Sequence, residues 1–400
     1  MNSILAGVVF IVKKQSSTLL MYTVALKMLF GDRAKYLGLV FGIAFTTLLI
    51  NQQVGIFLGL IDRAGSTVDD AAAADIWVMD PGVKNLDTVF PLRDTELPRV
   101  RGIPGVAWAV PFFKGGGTVR TPTGTIEGTV VIGVDDASLV GMPQKTLAGR
   151  LDDLRRAESV ALDPDGYRRI WPREPHQMGR VVELNDRRAV VVAVVDASPS
   201  FASGPIVYTR YSQALLYTNN GRNQLSFVLA KSAPGHDPAR VADEVTKRTG
   251  LKARTRGAFR EDNLQFILYN TGMPTSFGTV ALLGIIVGVA IVGLLSNLFV
   301  LENLKQFAVL KAIGVKNHRL VAMVLLQSAT AGSVGWAVGL AAAAAFFEFA
   351  AKGDPNFRGF HLPWYVAAGS GVLAAGILVM STASSLRRVL FFDPAIVFRG

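Results

Sequence analysis

Residues 302–320, ENLKQFAVLKAIGVKNHRL, join two of the most apolar stretches of this chain. The segment holds five basic residues counting His318, one acid at Glu302 and a glycine at Gly314. A plain turn between two helices needs only about four residues. Leu304, Phe307, Leu310 and Ile313 recur at three-residue steps, which predicts a helix with these four on one stripe and Lys305 and Lys311 turned aside. Gly314 suits a left-handed helix stop, and Asn317 suits the N-cap of a following helix. The segment therefore reads as a short helix with a sharp end. A basic amphipathic helix resting on lipid headgroups has the same periodicity as one docked on a protein. Spacing alone leaves both open.

Outward from the linker, half of the 400 residues are apolar. Four runs are long enough to cross a hydrocarbon core about 30 Å thick: about Leu37–Leu60, Phe277–Leu301, Leu320–Phe347 and Pro363–Leu386. The opening MNSILAGVVFIVKK is not expected to be a signal peptide, because its apolar run is short and its charges follow rather than precede it. The net charge of +11 suggests nucleic acid until its location is considered. Residues 61–276 carry 27 Lys/Arg against 25 Asp/Glu, whereas the rest carries 14 against 5. The excess lies beside the spans, in Lys13, Lys14, Lys27, Arg33, Lys35, Lys305, Lys311, Lys316, Arg319, Arg387, Arg388 and Arg399. By the positive-inside rule both termini and the linker are expected in the cytoplasm of a multi-pass inner (plasma) membrane protein, with 61–276 outside.

That outer segment alternates strand and helix patterns. Strands are expected at Asp75–Met79, Val106–Phe113, Thr125–Val134, Ala189–Val195 and Leu225–Ala230, each bounded by turn formers. A helix is expected from an Asp237 N-cap through Pro238 to a Gly250 stop. Two blocks, 75–134 and 225–258, flank a more β-rich piece at about 138–224, which reads as an α+β domain split by an insert.

Signatures of bond-making chemistry are missing. Gly115-Gly116-Gly117-Thr118 lacks the lysine of a phosphate-binding loop. The four histidines, His176, His236, His318 and His361, lack metal-ligand spacing, and there is no cysteine. Adjacent acids such as Asp69-Asp70, Asp135-Asp136 and Asp152-Asp153 point different ways in any regular element. No catalytic, cofactor or metal site is expected, and neither is an enzyme. Within the spans, Glu348 reads as an interfacial anchor at a span end. Asn51 and Gln52 serve either a dimer contact or contacts inside one subunit. Glycines at four-residue spacing, Gly38/Gly42, Gly55/Gly59, Gly284/Gly288 and Gly335/Gly339, permit close helix approach. Four spans form a thin bundle for a solute path, so a homodimer packed through Gly38, Gly42, Asn51, Gln52, Gly284 and Gly288 is expected.

The linker resembles the "E…REFAVLKALGAS…L" stretch of the FtsX/MacB-type ABC transporter permeases. Gly42-Ile43-Ala44-Phe45 and Gln53-Val54-Gly55-Ile56-Phe57 are similar to a form shared by the DevC-like permeases of glycolipid export. The resemblance covers the whole chain. It implies an integral membrane α-helical fold of four transmembrane helices with a large extracytoplasmic α+β domain, porter-like with βαβ halves and an inserted β-rich subdomain. The linker carries Asn303-Leu304-Lys305-Gln306 where many members have more arginine and glutamate.

The resemblance implies a division into a cytoplasmic segment 1–35 with an amphipathic helix over Leu19–Phe30, a first span 36–60 and the outer domain 61–276. The domain's insert is at about 138–224 and its stem at about 260–276. The second span is 277–301, the cytoplasmic coupling helix 302–319 and the third span 320–347. A short outer loop 348–362, the fourth span 363–386 and a cytoplasmic tail 387–400 complete the chain. Glu302, Leu304, Phe307, Leu310, Lys311, Ile313 and Gly314 would couple to a separate ATPase, present in two copies and holding ATP and Mg, while this chain binds no cofactor. The second span with its stem would carry motion outward. A mechanotransmission exporter of a hydrophobic or amphiphilic substrate is expected, with lipid, glycolipid, lipoprotein, haem and drug all open, and with a periplasmic adaptor as a further partner. A regulatory anchor for a cell-wall hydrolase and an ion-coupled transporter are the alternatives.

Overall fold

The computed structural model describes residues 22–199, 204–218, 224–353, 357 and 359–391. Leu19, Lys13, Lys14 and Arg399, named above, lie outside the described residues. In chain order the helices are α1 (Tyr22–Gly31), α2 (Arg33–Ala64), α3 (Ser66–Asp70), α4 (Glu96–Arg101), α5 (Pro164–Ile170), α6 (Tyr211–Tyr217), α7 (Pro238–Thr249), α8 (Arg256–Asn270), α9 (Met273–Glu302), α10 (Leu304–Ala312), α11 (Asn317–Gly353) and α12 (Trp364–Phe391). The strands are β1 (Ile76–Met79), β2 (Leu92–Arg93), β3 (Val106–Arg120), β4 (Ile126–Val134), β5 (Thr146–Gly149), β6 (Ser159–Leu162), β7 (Arg180–Leu184), β8 (Arg187–Val195), β9 (Ile206–Arg210), β10 (Gln224–Leu225), β11 (Phe227–Ser232) and β12 (Lys252–Thr255). The chain forms two compact units: Met1–Phe57, Thr275–Phe349 and Phe360–Gly400 in one, Leu58–Pro274 and Ala350–Gly359 in the other.

In the helical unit, α2, α9, α11 and Trp364–Ala383 of α12 are long and apolar enough to cross a membrane. Leu39 and Ile43 of α2 are buried with Val292 of α9, Ala331 of α11, and Ala374 and Ile377 of α12. Glycine lets α2 come close to both neighbours. A methyl group on Gly42 would stand 2.8 Å from Ile291, one on Gly38 2.9 Å from Leu295, and one on Gly284 3.4 Å from Leu49. The Thr46 hydroxyl lies against Gly288 and donates to the Gly42 carbonyl at 2.9 Å and the Gly284 carbonyl at 3.3 Å. On the α11 side, a methyl on Gly335 would meet the Val40 carbonyl oxygen at 2.8 Å.

Gly38, Gly42, Gly284 and Gly288, expected to pack a dimer, each face a neighbouring helix of the same chain. Asn51 is fully buried and donates to the Thr47 carbonyl at 2.7 Å. This is the intra-subunit alternative, while Gln52 is half-buried.

The second unit is built on a ten-stranded sheet in the order β12-β1-β11-β3-β4-β9-β6-β8-β5, with β7 pairing β3 and β8. The pairs β4–β9 and β6–β8 are parallel. The strands between residues 138 and 224 do not stand apart, since β9 is bonded to β4 and β7 to β3. Expected strand Leu225–Ala230 is divided between β10 and β11. Asp237 caps α7 by accepting from the Ala239 N–H, and Gly250 ends it at φ +75°, as the sequence indicates. Trp77 is fully buried with its ring centroid 5.3 Å from Phe112, 5.4 Å from Phe227 and 5.5 Å from Phe259. Phe259 brings α8 into this aromatic core. The expected stem is not one helix, because α8 ends at Asn270 and α9 begins at Met273.

The two kinds of glycine contact separate by experiment. Gly38→Ala meets only the tip of a leucine that can rotate away, and alanine gains about 1 kcal/mol of helix propensity over glycine. Gly335→Ala meets backbone, so the helices must part at a cost of about 1–3 kcal/mol. Thermal unfolding of the detergent-solubilised chain is expected to fall for Gly335→Ala and hold or rise for Gly38→Ala. Equal responses would refute the close backbone contact.

Candidate functional site at the linker between α9 and α11

The α9 helix runs to Glu302 and the chain turns at Asn303, whose Nδ2 donates to the Phe299 carbonyl at 2.8 Å. After α10, the Gly314 N–H donates to the Lys311 carbonyl at 3.1 Å and the Val315 N–H to the Leu310 carbonyl at 3.0 Å. Gly314 has φ +92°. This pair of bonds around a left-handed residue is the Schellman motif, and Leu310 and Val315 on either side of it both pack against the cluster around Phe307. No atom lies within 4 Å of where a Gly314 Cβ would stand, so backbone conformation, not crowding, demands glycine here. Asn317 is the first residue of α11 rather than its cap. The Lys316 carbonyl accepts the first bonds of that helix, from Arg319 and Leu320.

The expected single stripe does not exist. At 3.6 residues per turn each residue advances about 100°, so nine residues place Ile313 half a turn round from Leu304. Phe307 is fully buried inside this chain and Ile313 is 73% exposed. Phe307 packs with Ala25, Val300, Leu320, Met323 and Val324, with Leu310 and Met28 at the margin. Phe307 is therefore corrected from an anchor offered to a partner to the residue that fastens α10 onto α1, α9 and α11. Leu304, Leu310 and Lys311 are half-buried. The outward face carries Lys305, Gln306, Val309, Ala312, Ile313 and Lys316.

Two further contacts had no signal in the sequence. Lys35, near the start of α2, forms ion pairs with Glu302 and with Asp32. The Lys35 hydrogen bond holds the Asp32 carboxyl below the usual carboxylate range. Gln327 of α11, 2% exposed, donates Nε2 to the Ala25 carbonyl at 2.8 Å and so ties α1 to the same assembly. Lys35 and Glu302, and Gln327 and Ala25, lie hundreds of residues apart in the chain, beyond the reach of any periodicity. Among the described residues, no group of three or more His, Cys, Asp or Glu side chains is placed to hold a metal ion.

Comparison with known proteins bears on both units. Residues 36–248 match the family model described as MacB-like periplasmic core domain, and residues 278–394 match FtsX-like permease C-terminal. An uncharacterized ABC transporter permease of Mycobacterium tuberculosis is 28% identical over 369 residues, covering 91% of this chain and 93% of that protein. One of Mycobacterium bovis is 27% identical over 367 residues, covering 90% and 93%. The solved periplasmic region of MacB from Actinobacillus actinomycetemcomitans aligns with TM-score 0.36 and 16% identity, over 50% of this chain and 94% of that one. With four apolar helices, a mixed α/β domain within the first match and the linker within the second, this chain is a multi-pass membrane protein that belongs to the FtsX/MacB family of ABC transporter permeases.

Proposed function

We propose that this permease works as the membrane subunit of an ATP-driven exporter of the mechanotransmission type, with α10 as the helix on which a separate ATPase docks. The family implies an ATPase partner. The carrying observation is the outward face of α10: Val309 is 47% and Ile313 73% exposed, one helical turn apart, with Lys305 and Lys316 beside them. A buried Phe307 holds the helix while its other face stays available, as a helix-in-groove contact requires. In this reading Glu302, Leu304, Phe307, Leu310, Lys311 and Gly314 set the helix in place, and Val309 and Ile313 enter the partner.

Two copies of the permease would work with two ATPase chains, which hold ATP and Mg, in an inner membrane with both termini cytoplasmic. The cargo class is hydrophobic or amphiphilic, moved by push of the α/β domain rather than through a wide channel, with a periplasmic adaptor as a further partner. The second reading, a regulatory anchor for a cell-wall hydrolase, uses the same docked linker and differs only in what the α/β domain engages.

Three variants test the assignment. Val309→Ala with Ile313→Ala is expected to leave the permease inserted and normally stable but to abolish co-purification of the ATPase, since loss of a buried anchor commonly costs about 2 kcal/mol of binding. Phe307→Ala is expected to act earlier, destabilising the permease itself by about 3–5 kcal/mol. Gly314→Val, which forces a β-branched residue to positive φ, should misplace the linker and lose the ATPase with an otherwise folded bundle. If the Val309/Ile313 pair proves silent while Lys305→Gln with Lys316→Gln releases the helix, α10 is a lipid-surface helix and the docking assignment fails.

A further inference from the structure

Gln327 is a polar side chain in an apolar place. It lies within α11, one of the helices long and apolar enough to span a membrane, and is 2% exposed. One turn away on the same face, Met323, Val324 and Ala331 are buried as well. Its Nε2 donates to the Ala25 carbonyl at 2.8 Å, whereas its Oε1 has no partner among the described residues. A buried polar atom left unpaired commonly costs more than a made hydrogen bond returns, and hydrocarbon offers no water in its place. Methionine, unbranched and of similar length, would fill the same space without an orphaned oxygen. Stability of the bundle therefore does not account for glutamine here, and a residue that breaks a local rule points to a use.

What the amide reaches is the backbone of α1. Over its described residues α1 is too short to cross a membrane. It joins α2 through Asp32, whose carboxyl accepts from the Lys35 N–H at 3.3 Å. Ala25 and Leu29 of α1 are buried, while Lys27 and Phe30 on its other side are exposed. Ala25 belongs to the cluster that holds Phe307, together with Val300, Leu320, Met323 and Val324. Val300 stands on α9 and the other three on α11, both of them spans fixed by their own length. Ala25 stands on a helix that must be held in place by contacts, and the Gln327 amide is the polar one.

We propose that Gln327 is a positioning residue for the outward face of α10, acting through α1. Its amide fastens the Ala25 carbonyl, Ala25 completes the cluster around Phe307, and Phe307 fixes which face of α10 is presented. The use made of that face rests on the proposed docking role of α10, whereas the path from Gln327 to α10 does not. A donor at 327 thus sets α1 as part of the seat of α10, at the expense of an unpaired oxygen in the bundle.

Gln327→Met removes the donor and the orphaned oxygen together. Thermal unfolding of the full permease is expected to hold or rise in this variant. The chain has no cysteine, so single spin labels at Lys27→Cys and Ala312→Cys, both exposed, report α1 and α10 separately in liposomes. Without any ATPase present, both labels are expected to become more mobile in Gln327→Met. Ala25→Leu, which keeps the glutamine but crowds the same contact, should loosen the same two labels. Affinity for the ATPase should weaken about three- to tenfold, the worth of one hydrogen bond between membrane helices. Labels that stay as immobile as in the unaltered chain would overturn the proposal. So would a fall in thermal stability of Gln327→Met, which would make the glutamine ordinary glue between helices. Labels that loosen while ATPase affinity is unchanged would uphold the path from Gln327 to α10 and count against docking at its outward face.

Discussion

The burial of Phe307 decides what the linker can be. A fully buried phenylalanine contributes about 1.5–3 kcal/mol by leaving water, and here it does so inside its own chain, between α1, α9 and α11. With that side chain turned inward, α10 can roll very little, and the face bearing Val309 and Ile313 is fixed by exclusion. The Schellman stop at Gly314 then ends the helix, with the Val315 N–H bonded to the Leu310 carbonyl. Lys35 and Gln327 add polar ties at the same end, joining Glu302 to α2 and α1 to α11. The helix is thus held on one face and open on the other.

The rest of the helical unit is held by close helix contacts. Glycine contacts bring α2 against α9 and against α11 close enough for Thr46 to reach the Gly284 carbonyl. In hydrocarbon, where no hydrophobic effect favours helix over lipid, this close fit is the main source of association. The α/β unit is stiffened differently, by aromatic packing around Trp77 in which Phe259 of α8 takes part.

Hydropathy and local chemistry made much of this legible. A membrane helix must satisfy its backbone internally over about 20 residues, so the four apolar runs could scarcely be anything else. The Asp237–Pro238 start and Gly250 stop of α7 follow from local rules that act within one turn. The resemblance carried by FAVLKAIG agrees with the family found by comparison. What failed was tertiary. Three-residue steps drift by about 60° each, so the stripe from Leu304 to Ile313 dissolves over nine residues, and nothing local tells which part of it turns inward. Glycine spacing indicates close approach but not the partner, and Gly42 and Gly288 found theirs within one chain. The break at Thr271–Gly272 did have a local signal, Pro274 at the second position of α9, since a proline cannot continue a helix that precedes it.

A photo-crosslinking amino acid at one position of α10 reads the outward face directly. Placed at Ile313 in native membranes, it is expected to capture an ATP-binding polypeptide on irradiation, whereas at Ala308, buried on the opposite face, it captures none. Crosslinks from Ile313 to lipid alone, with no ATP-binding adduct, would contradict the linker's role as the docking helix of this permease.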